Sequence, residues 1–166
     1  TLSDAPLVVS APPEVAAQCA SSWRTLLTEA APGSVWYDGL VSQASLVHDD
    51  LPAMDDDAMR RNRPTLHIAA GETMAILAGD AMVPLSFLAV TQSDFSAATV
   101  HAMTATLGDA TTLMIQGQVL DTLGGPTGDS DDASRVRKIH AAKTGALIEA
   151  ACRLGGLAGN GGRLAH

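Results

Sequence analysis

Residues 46–67 read Leu-Val-His-Asp-Asp-Leu-Pro-Ala-Met-Asp-Asp-Asp-Ala-Met-Arg-Arg-Asn-Arg-Pro-Thr-Leu-His. Five carboxylates, Asp49, Asp50, Asp55, Asp56 and Asp57, fall within nine residues, and Arg60, Arg61 and Arg63 follow directly. Oxygen donors without thiols suit a hard divalent cation such as Mg²⁺, which takes one or two carboxylates and fills its shell with water and phosphate oxygens. Carboxylates alone would repel a phosphorylated ligand, whereas guanidinium forks match phosphate oxygens. The stretch therefore reads as a place where metal and phosphate are held together. The plainer alternative is a solvated helix end. Two features count against it: an apolar helical pattern enters the run (Leu40, Val41, Ala44, Leu46, Val47), and Pro52 and Pro64 stand at its corners. An EF-hand is excluded, because residues 55–60 lack its third oxygen ligand and its turn glycine.

The pattern predicts a helix over 35–50 that turns Leu40, Val41, Ala44, Val47 and Trp36 toward a core and delivers Asp49 and Asp50 at its C-terminal end. Carboxylates are unfavourable there, where the macrodipole is negative, unless cations sit on them. Pro52 disfavours α geometry at Leu51, and a bulge at that point swings Asp55 back toward Asp49. Pro64-Thr65 opens a new segment, with Thr65 as helix cap and His67 read as an exposed loop residue or a phosphate contact.

Outward from this stretch the chain reads as all helix. Residues 1–13 form an extended lead-in, 13–31 a helix carrying Cys19, and Pro32-Gly33-Ser34 a turn. Residues 71–90 are apolar nearly all round, as suits a central helix, with Asp80 structural or at a pocket wall and a kink at Pro84. Asp80 and Pro84 also argue against a membrane span. Residues 96–123 present Met103, Leu107, Ala110, Met114 and Val119 to the core, with Gln118 and Asp121 one turn apart on a single face. Asp129, Ser130, Asp131 and Asp132 fit a cap and acidic first turn better than a second metal motif. In the helix that follows, Lys143 lies between Ile139 and Leu147 and needs an anionic partner. The glycine-rich end, residues 155–162, is expected to continue a helix poorly.

The chain of 166 residues is one domain's worth, 46% hydrophobic and 17% charged, hence globular. A net charge of −8 with no basic aromatic stripe argues against a nucleic-acid partner. Cys19 and Cys152 sit in no metal spacing and read as small buried hydrophobes. There is no secretory signal, and a start at Thr1 leaves room for an upstream piece. The alanine-rich composition suits a bacterial cytosolic protein or an organellar one of plastid or mitochondrion.

Asp49-Asp50-Leu-Pro-Ala-Met-Asp55 followed by Arg60-Arg61-Asn62-Arg63-Pro64-Thr65-Leu66-His67 resembles the first aspartate-rich motif of the trans-isoprenyl diphosphate synthases, D-D-x-x-x-x-D with R-R-G-x-P-T-x-H. Residues 76–82 resemble that family's L-A-G-D helix, 117–121 its G-Q-x-x-D, and 143–147 its K-T-x-x-L, so the likeness spans about 35–162. Asn62 replaces a glycine, but asparagine tolerates positive φ. The resemblance implies an antiparallel helical bundle, here about five helices and incomplete, as a single domain over 1–166.

The resemblance also implies condensation of an allylic diphosphate with isopentenyl diphosphate. The carbon–oxygen bond would ionise while Mg²⁺, held by Asp49, Asp50 and Asp55, meets the charge of the leaving group. Arg60 and Lys143 would hold the allylic diphosphate and Arg61 the isopentenyl diphosphate, with Thr144, Gln118, Asp121 and His67 around them. Small residues at Ala44 and Ser45, one turn before the aspartates, imply a tail longer than fifteen carbons and a C20 product. The family's upstream G-G-K-R-x-R-P loop and second D-D-x-x-D are not found in these residues. A piece ending here is expected to turn over poorly. The alternative is a non-catalytic, shortened subunit that assembles with a complete synthase. A homodimer, or a heteromer with another synthase-like subunit, is expected.

Overall fold

The structure is a computed structural model, and it describes residues 37–124 and 131–160. The lead-in, the 13–31 helix, the turn at 32–34, Cys19, Trp36, Asp129, Ser130 and residues 161–162 lie outside them. The described elements are helix α1 (Tyr37–Asp49), strands β1 (Met59–Arg60) and β2 (Arg63–Pro64), helices α2 (Leu66–Ala70), α3 (Glu72–Thr91), α4 (Ala97–Thr122) and α5 (Asp132–His140), a π-helical turn (Ala141–Gly145) and α6 (Ala146–Asn160). The architecture is all-α: five helices of two turns or more, and the single turn of α2.

Helix α1 packs chiefly on α3, and α4 on the π turn and α6. Five residues, 92–96, join α3 to α4, a length that sets consecutive helices side by side. The core runs through Val41, Val90, Met103, Leu107, Ala110, Met114, Leu147, Ala150 and Leu154, with Phe87, Phe95, Val100 and Leu157 packed against it. These positions recur every three or four residues along α4 and α6, the spacing that puts side chains on one helical face.

The caps follow local chemistry. Ser96 accepts from the Thr99 amide at the start of α4, and Asp131 does the same for Ser134 at the start of α5, as the acidic run there predicts. Gly124, just past α4, takes φ 70. The capping expectation fails at Thr65. It occupies the N-cap position of α2, but its hydroxyl donates to the Asp57 carbonyl at 2.7 Å, because the hairpin backbone is nearer than the helix amides.

The β ladder is a hairpin two residues long on each side, and it leaves Met59 more than half exposed, away from the core. Its turn residues Arg61 and Asn62 have φ of 51 and 62, as a two-residue hairpin with positive φ at both central positions requires. Asn62 thus makes the turn that a glycine would make.

Several expectations are corrected. Helix α3 does not bury its whole circumference. Ala75, Gly79, Met82, Ser86 and Val90 face inward, while Ile76, Leu77 and Leu88 are exposed. By length and composition α3 is long and apolar enough to cross a membrane, but it carries Asp80 and Pro84 and lays one face on α1 and α4. Val119 is exposed rather than in the core, because it lies two residues past Gly117 and so on the opposite side of α4 from the face that Met114 and Gly117 bury. Cys152 is exposed, since on α6 the inward positions are taken by Leu147, Ala150 and Leu154. His67 is buried and bonds the Thr65 hydroxyl through Nδ1 at 3.1 Å, so it is not an exposed loop residue. Helix α6 continues through Gly155, Gly156 and Gly159 to Asn160. Burial of Leu154 and packing of Leu157 outweigh a glycine cost of about 1 kcal/mol per residue.

Close approach of α1 to α3 depends on Gly79. A methyl group there would overlap the His48 ring, lying 2.5 Å from Cδ2 and 2.7 Å from Cε1. His48 Nε2 lies 3.0 Å from the Ile76 carbonyl and 3.7 Å from Asp80, which fastens the last turn of α1 to α3. Gly79→Ala is expected to lower stability by about 1–3 kcal/mol through overpacking, in place of the gain of about 1 kcal/mol that alanine gives in an open helix. Denaturant unfolding checks this, with an unchanged midpoint as the contrary result.

Candidate functional site

The end of α1 carries Asp49, and Asp50 follows directly after it; both are buried although they are carboxylates. Each is met by a donor from elsewhere in the chain. Gln118 Nε2, on α4, donates to Asp49 Oδ1 at 2.5 Å, and Lys143 Nζ, on the π turn, stands 3.4 Å from Asp49 Oδ2. The same ammonium donates to Asp121 Oδ2 at 2.8 Å. Gln118 and Asp121 share a face of α4, so a single ridge presents an amide to Asp49 and a carboxylate to Lys143.

Asp50 is held by Arg60, which donates through Nε at 2.7 Å and Nη2 at 2.6 Å, both to Oδ1. Arg60 also lies 3.7 Å from Asp57. The hairpin folds Arg60 back onto the residues that precede it. The bulge at Pro52 behaves as its position predicts: α1 stops at Asp49, and the Asp55 amide donates to the Asp49 carbonyl at 2.9 Å. Asp55 is thereby brought back beside Asp49 across six positions.

Burial pushes the Asp49 carboxyl above its ordinary value, and the negative charge of Asp55 adds to this, against the opposing pull of Lys143 and Arg60. For Lys143, burial pulls the ammonium down, but the bonds and charges of Asp121 and Asp49 outweigh it and leave the group above its ordinary value. Asp49, Asp50, Asp55 and Asp121 are met by two cations, Arg60 and Lys143, so carboxylates outnumber cations in the site.

Asp49, Asp50, Asp55, Arg60, Gln118, Asp121 and Lys143 are thus gathered by α1, the hairpin, α4 and the π turn. Arg61 and Thr144 are exposed and take no part in these contacts, and the bonds of His67 go to the hairpin base. Ala44 is buried and Ser45 half-buried, with the Ser45 hydroxyl on the Ser42 carbonyl. Among the described residues, no three carboxylate, imidazole or thiolate groups converge as a complete metal cage. Sequence reasoning missed His48 and Gly117. Glycine inside an apolar helical pattern, as at 79 and 117, was the available signal, since it is costly there unless another chain segment comes close.

The helical frame is that of the isoprenoid synthases. It matches the crystal structure of a geranyltransferase from Legionella pneumophila with a TM-score of 0.73 at 29% identity, over 95% of this chain and 62% of that one. The geranyltransferase of Helicobacter pylori 26695 matches with a TM-score of 0.67 at 33% identity, over 74% and 43%. The chain belongs to the polyprenyl synthetase family, whose model matches residues 22–164. It is 45% identical over 127 residues to the farnesyl diphosphate synthase of Escherichia coli (strain K12), covering 73% of this chain and 42% of that protein. It is 38% identical over 127 residues to the mitochondrial geranylgeranyl pyrophosphate synthase 10 of Arabidopsis thaliana, covering 74% and 37%. The chain therefore spans well under half the length of these two relatives. Both carry the names of synthases, and nothing in the comparisons favours a non-catalytic subunit.

Proposed function

We propose that the protein is a prenyltransferase that condenses an allylic diphosphate with isopentenyl diphosphate, and that the cluster around Asp49 is where Mg²⁺ and the allylic diphosphate are held. The observation that carries this reading is the convergence of Asp49, Lys143 and Gln118, from three elements far apart in the chain, with Arg60 folded back on Asp50. The donor set fits magnesium. Its oxygens are hard, Arg60 occupies only Oδ1 of Asp50, and the excess of carboxylates gains from an added cation. Asp49, Asp50 and Asp55 would hold the metal, with phosphate oxygens completing the shell in place of a protein cage. When bound, magnesium supplies positive charge against the departing diphosphate.

The side chains do the positioning. Gln118 fixes the rotation of the Asp49 carboxylate, and Arg60 fixes Asp50. The contact of Lys143 with Asp49 is long enough for the ammonium to turn toward phosphate while Asp121 keeps hold of it. None of these groups is set as a nucleophile or a conventional base, as suits a reaction that starts by bond ionisation. Arg61, exposed at the hairpin tip, is assigned to isopentenyl diphosphate, and His67 and Thr144 to the margin of the site. Incubation of a full-length polypeptide containing these residues with isopentenyl diphosphate, an allylic diphosphate and Mg²⁺ is expected to give longer prenyl diphosphates, and chelation to abolish them, with the 166 residues alone turning over poorly. Absence of both product and magnesium-dependent diphosphate binding would overturn the reading.

The product proposed is C20, because a tail running back along α1 from Asp49 meets the small residues Ser45 and Ala44. Ala44 is too tightly enclosed to accept a ring without overpacking. Ser45 keeps partial exposure, so Ser45→Phe is the better probe. Its expected effect is a shift of the main product to C15 or shorter, read by chromatography of the dephosphorylated alcohols. An unchanged distribution would place the tail elsewhere.

A further inference from the structure

Helix α5, the π turn and α6 follow one another without a break. Every junction residue keeps right-handed helical dihedrals, from His140 at φ −64 and ψ −37 to Ala146 at φ −59 and ψ −43. What distinguishes 141–145 is one residue more than α geometry needs, the usual content of a π bulge. The extra residue has a consequence for register. Ile139 and Leu147 are both buried although eight positions apart. On an uninterrupted α-helix eight steps of about 100° leave them about 80° apart, whereas seven steps leave about 20°. The bulge absorbs the eighth step, so that Ile139 comes back into line with Leu147 while the chain between them swells toward α4.

Gly117 receives that swelling. A methyl group on Gly117 would overlap the Lys143 amide nitrogen and lie 2.7 Å from Lys143 Cα and 2.8 Å from the Ala142 carbonyl carbon. These are backbone atoms, which cannot turn aside as the end of a side chain does. Gly117 immediately precedes Gln118, and Asp121 lies one turn further on. The contact that seats the π turn therefore lies beside the two α4 residues that Asp49 and Lys143 use. By contrast a methyl group on Gly108, nine residues earlier on α4, would meet nothing within 4 Å.

We propose that the π turn, seated in the notch left by Gly117, is the device that aims the Lys143 ammonium at its anionic ligand, so that Gly117 and the extra residue of the turn are positioning elements of the diphosphate site. The inference rests on the proposed role of Lys143 toward diphosphate. A longer side chain at 117 pushes the turn away from α4, and removal of one residue from the turn relaxes it to α geometry. In both cases the apolar face of the helix is kept and the ammonium loses its aim.

The test measures dissociation constants for inorganic diphosphate at saturating Mg²⁺, alongside melting temperatures, for the wild type, Gly117→Ala, Gly108→Ala, Lys143→Met and a deletion of Ala142. Gly117→Ala is expected to weaken diphosphate binding about tenfold or more in the wild-type background and less than about twofold in the Lys143→Met background, since it acts through that lysine. Gly108→Ala is expected to leave the constant unchanged. If Gly117→Ala does not fold, the Ala142 deletion serves instead. Its intact Ile139–Leu147 register predicts a melting temperature near the wild type with binding reduced to the Lys143→Met level. Wild-type affinity in a folded Gly117→Ala or Ala142-deleted protein overturns the proposal, as does equal weakening by Gly117→Ala with and without Lys143. If the wild type binds no diphosphate, the proposed function fails, and a crystal structure of the deletion variant then decides the positioning claim. Departure of Lys143 Nζ from Asp121 supports it, and an unmoved ion pair overturns it.

Discussion

Replacing Lys143 with methionine is expected to lower turnover by about 10²–10³-fold, the usual consequence of removing one preorganised group that meets developing negative charge. The same change keeps most of the side chain's bulk, so its main effect is loss of the charge. It leaves Asp49 and Asp121 without their shared ammonium. Removing one partner of a fully buried pair costs about 3–5 kcal/mol. Here Asp121 is nearly half exposed, and water shares the load, so a loss of about 1–2 kcal/mol is expected. Steady-state kinetics and denaturant unfolding read the two effects separately. A variant with normal turnover and a lowered midpoint would make Lys143 a structural residue only.

Asp49→Asn carries the second large effect, and it has opposite signs for activity and stability. Turnover is expected to fall about 10²–10³-fold, because a ligand of the proposed metal site loses its charge. Stability without metal is expected to rise. The fold holds the Asp49 carboxyl above its ordinary value, so the protonated form is favoured by folding. That contribution is complete at low pH and is lost as pH rises from the ordinary carboxylate range through the raised value. At neutral pH the ionised Asp49 is therefore a liability that asparagine removes, and Gln118 can still bond the amide oxygen. A higher melting temperature at neutral pH follows, with the gain vanishing as the pH falls below the ordinary carboxylate range. Added Mg²⁺ should raise the melting temperature of the wild type and leave the variant unmoved. A variant less stable than the wild type at neutral pH would show that the ion pair with Lys143 dominates.

Much of this site was legible in residues 46–67. Carboxylates at a helix C-terminus followed by proline and arginines have few physical readings, and the structure keeps the predicted helix end, the bulge, the return of Asp55 and the positive φ of Asn62. Gln118 and Asp121 were visible as a polar pair on an apolar helix, and Lys143 as a cation among apolar neighbours. Which carboxylates they would meet was not visible from spacing, because those contacts span 69 residues in one case and 22 in another. The hairpin was hidden because two-residue strands leave no alternation to read. The π turn was hidden because Ala-Ala-Lys-Thr-Gly favours no particular helical geometry, and the close contact it makes lies on another helix at Gly117. The glycine-rich end of α6 misled because local propensity is weak beside the burial of Leu154.

The most direct test of the central claim is calorimetric titration of the protein with inorganic diphosphate, with and without Mg²⁺. The account predicts saturable binding that requires the metal, is lost in Asp49→Asn, and is weakened at least tenfold in Lys143→Met. Equally tight binding without Mg²⁺, or binding unaffected by both substitutions, would contradict it.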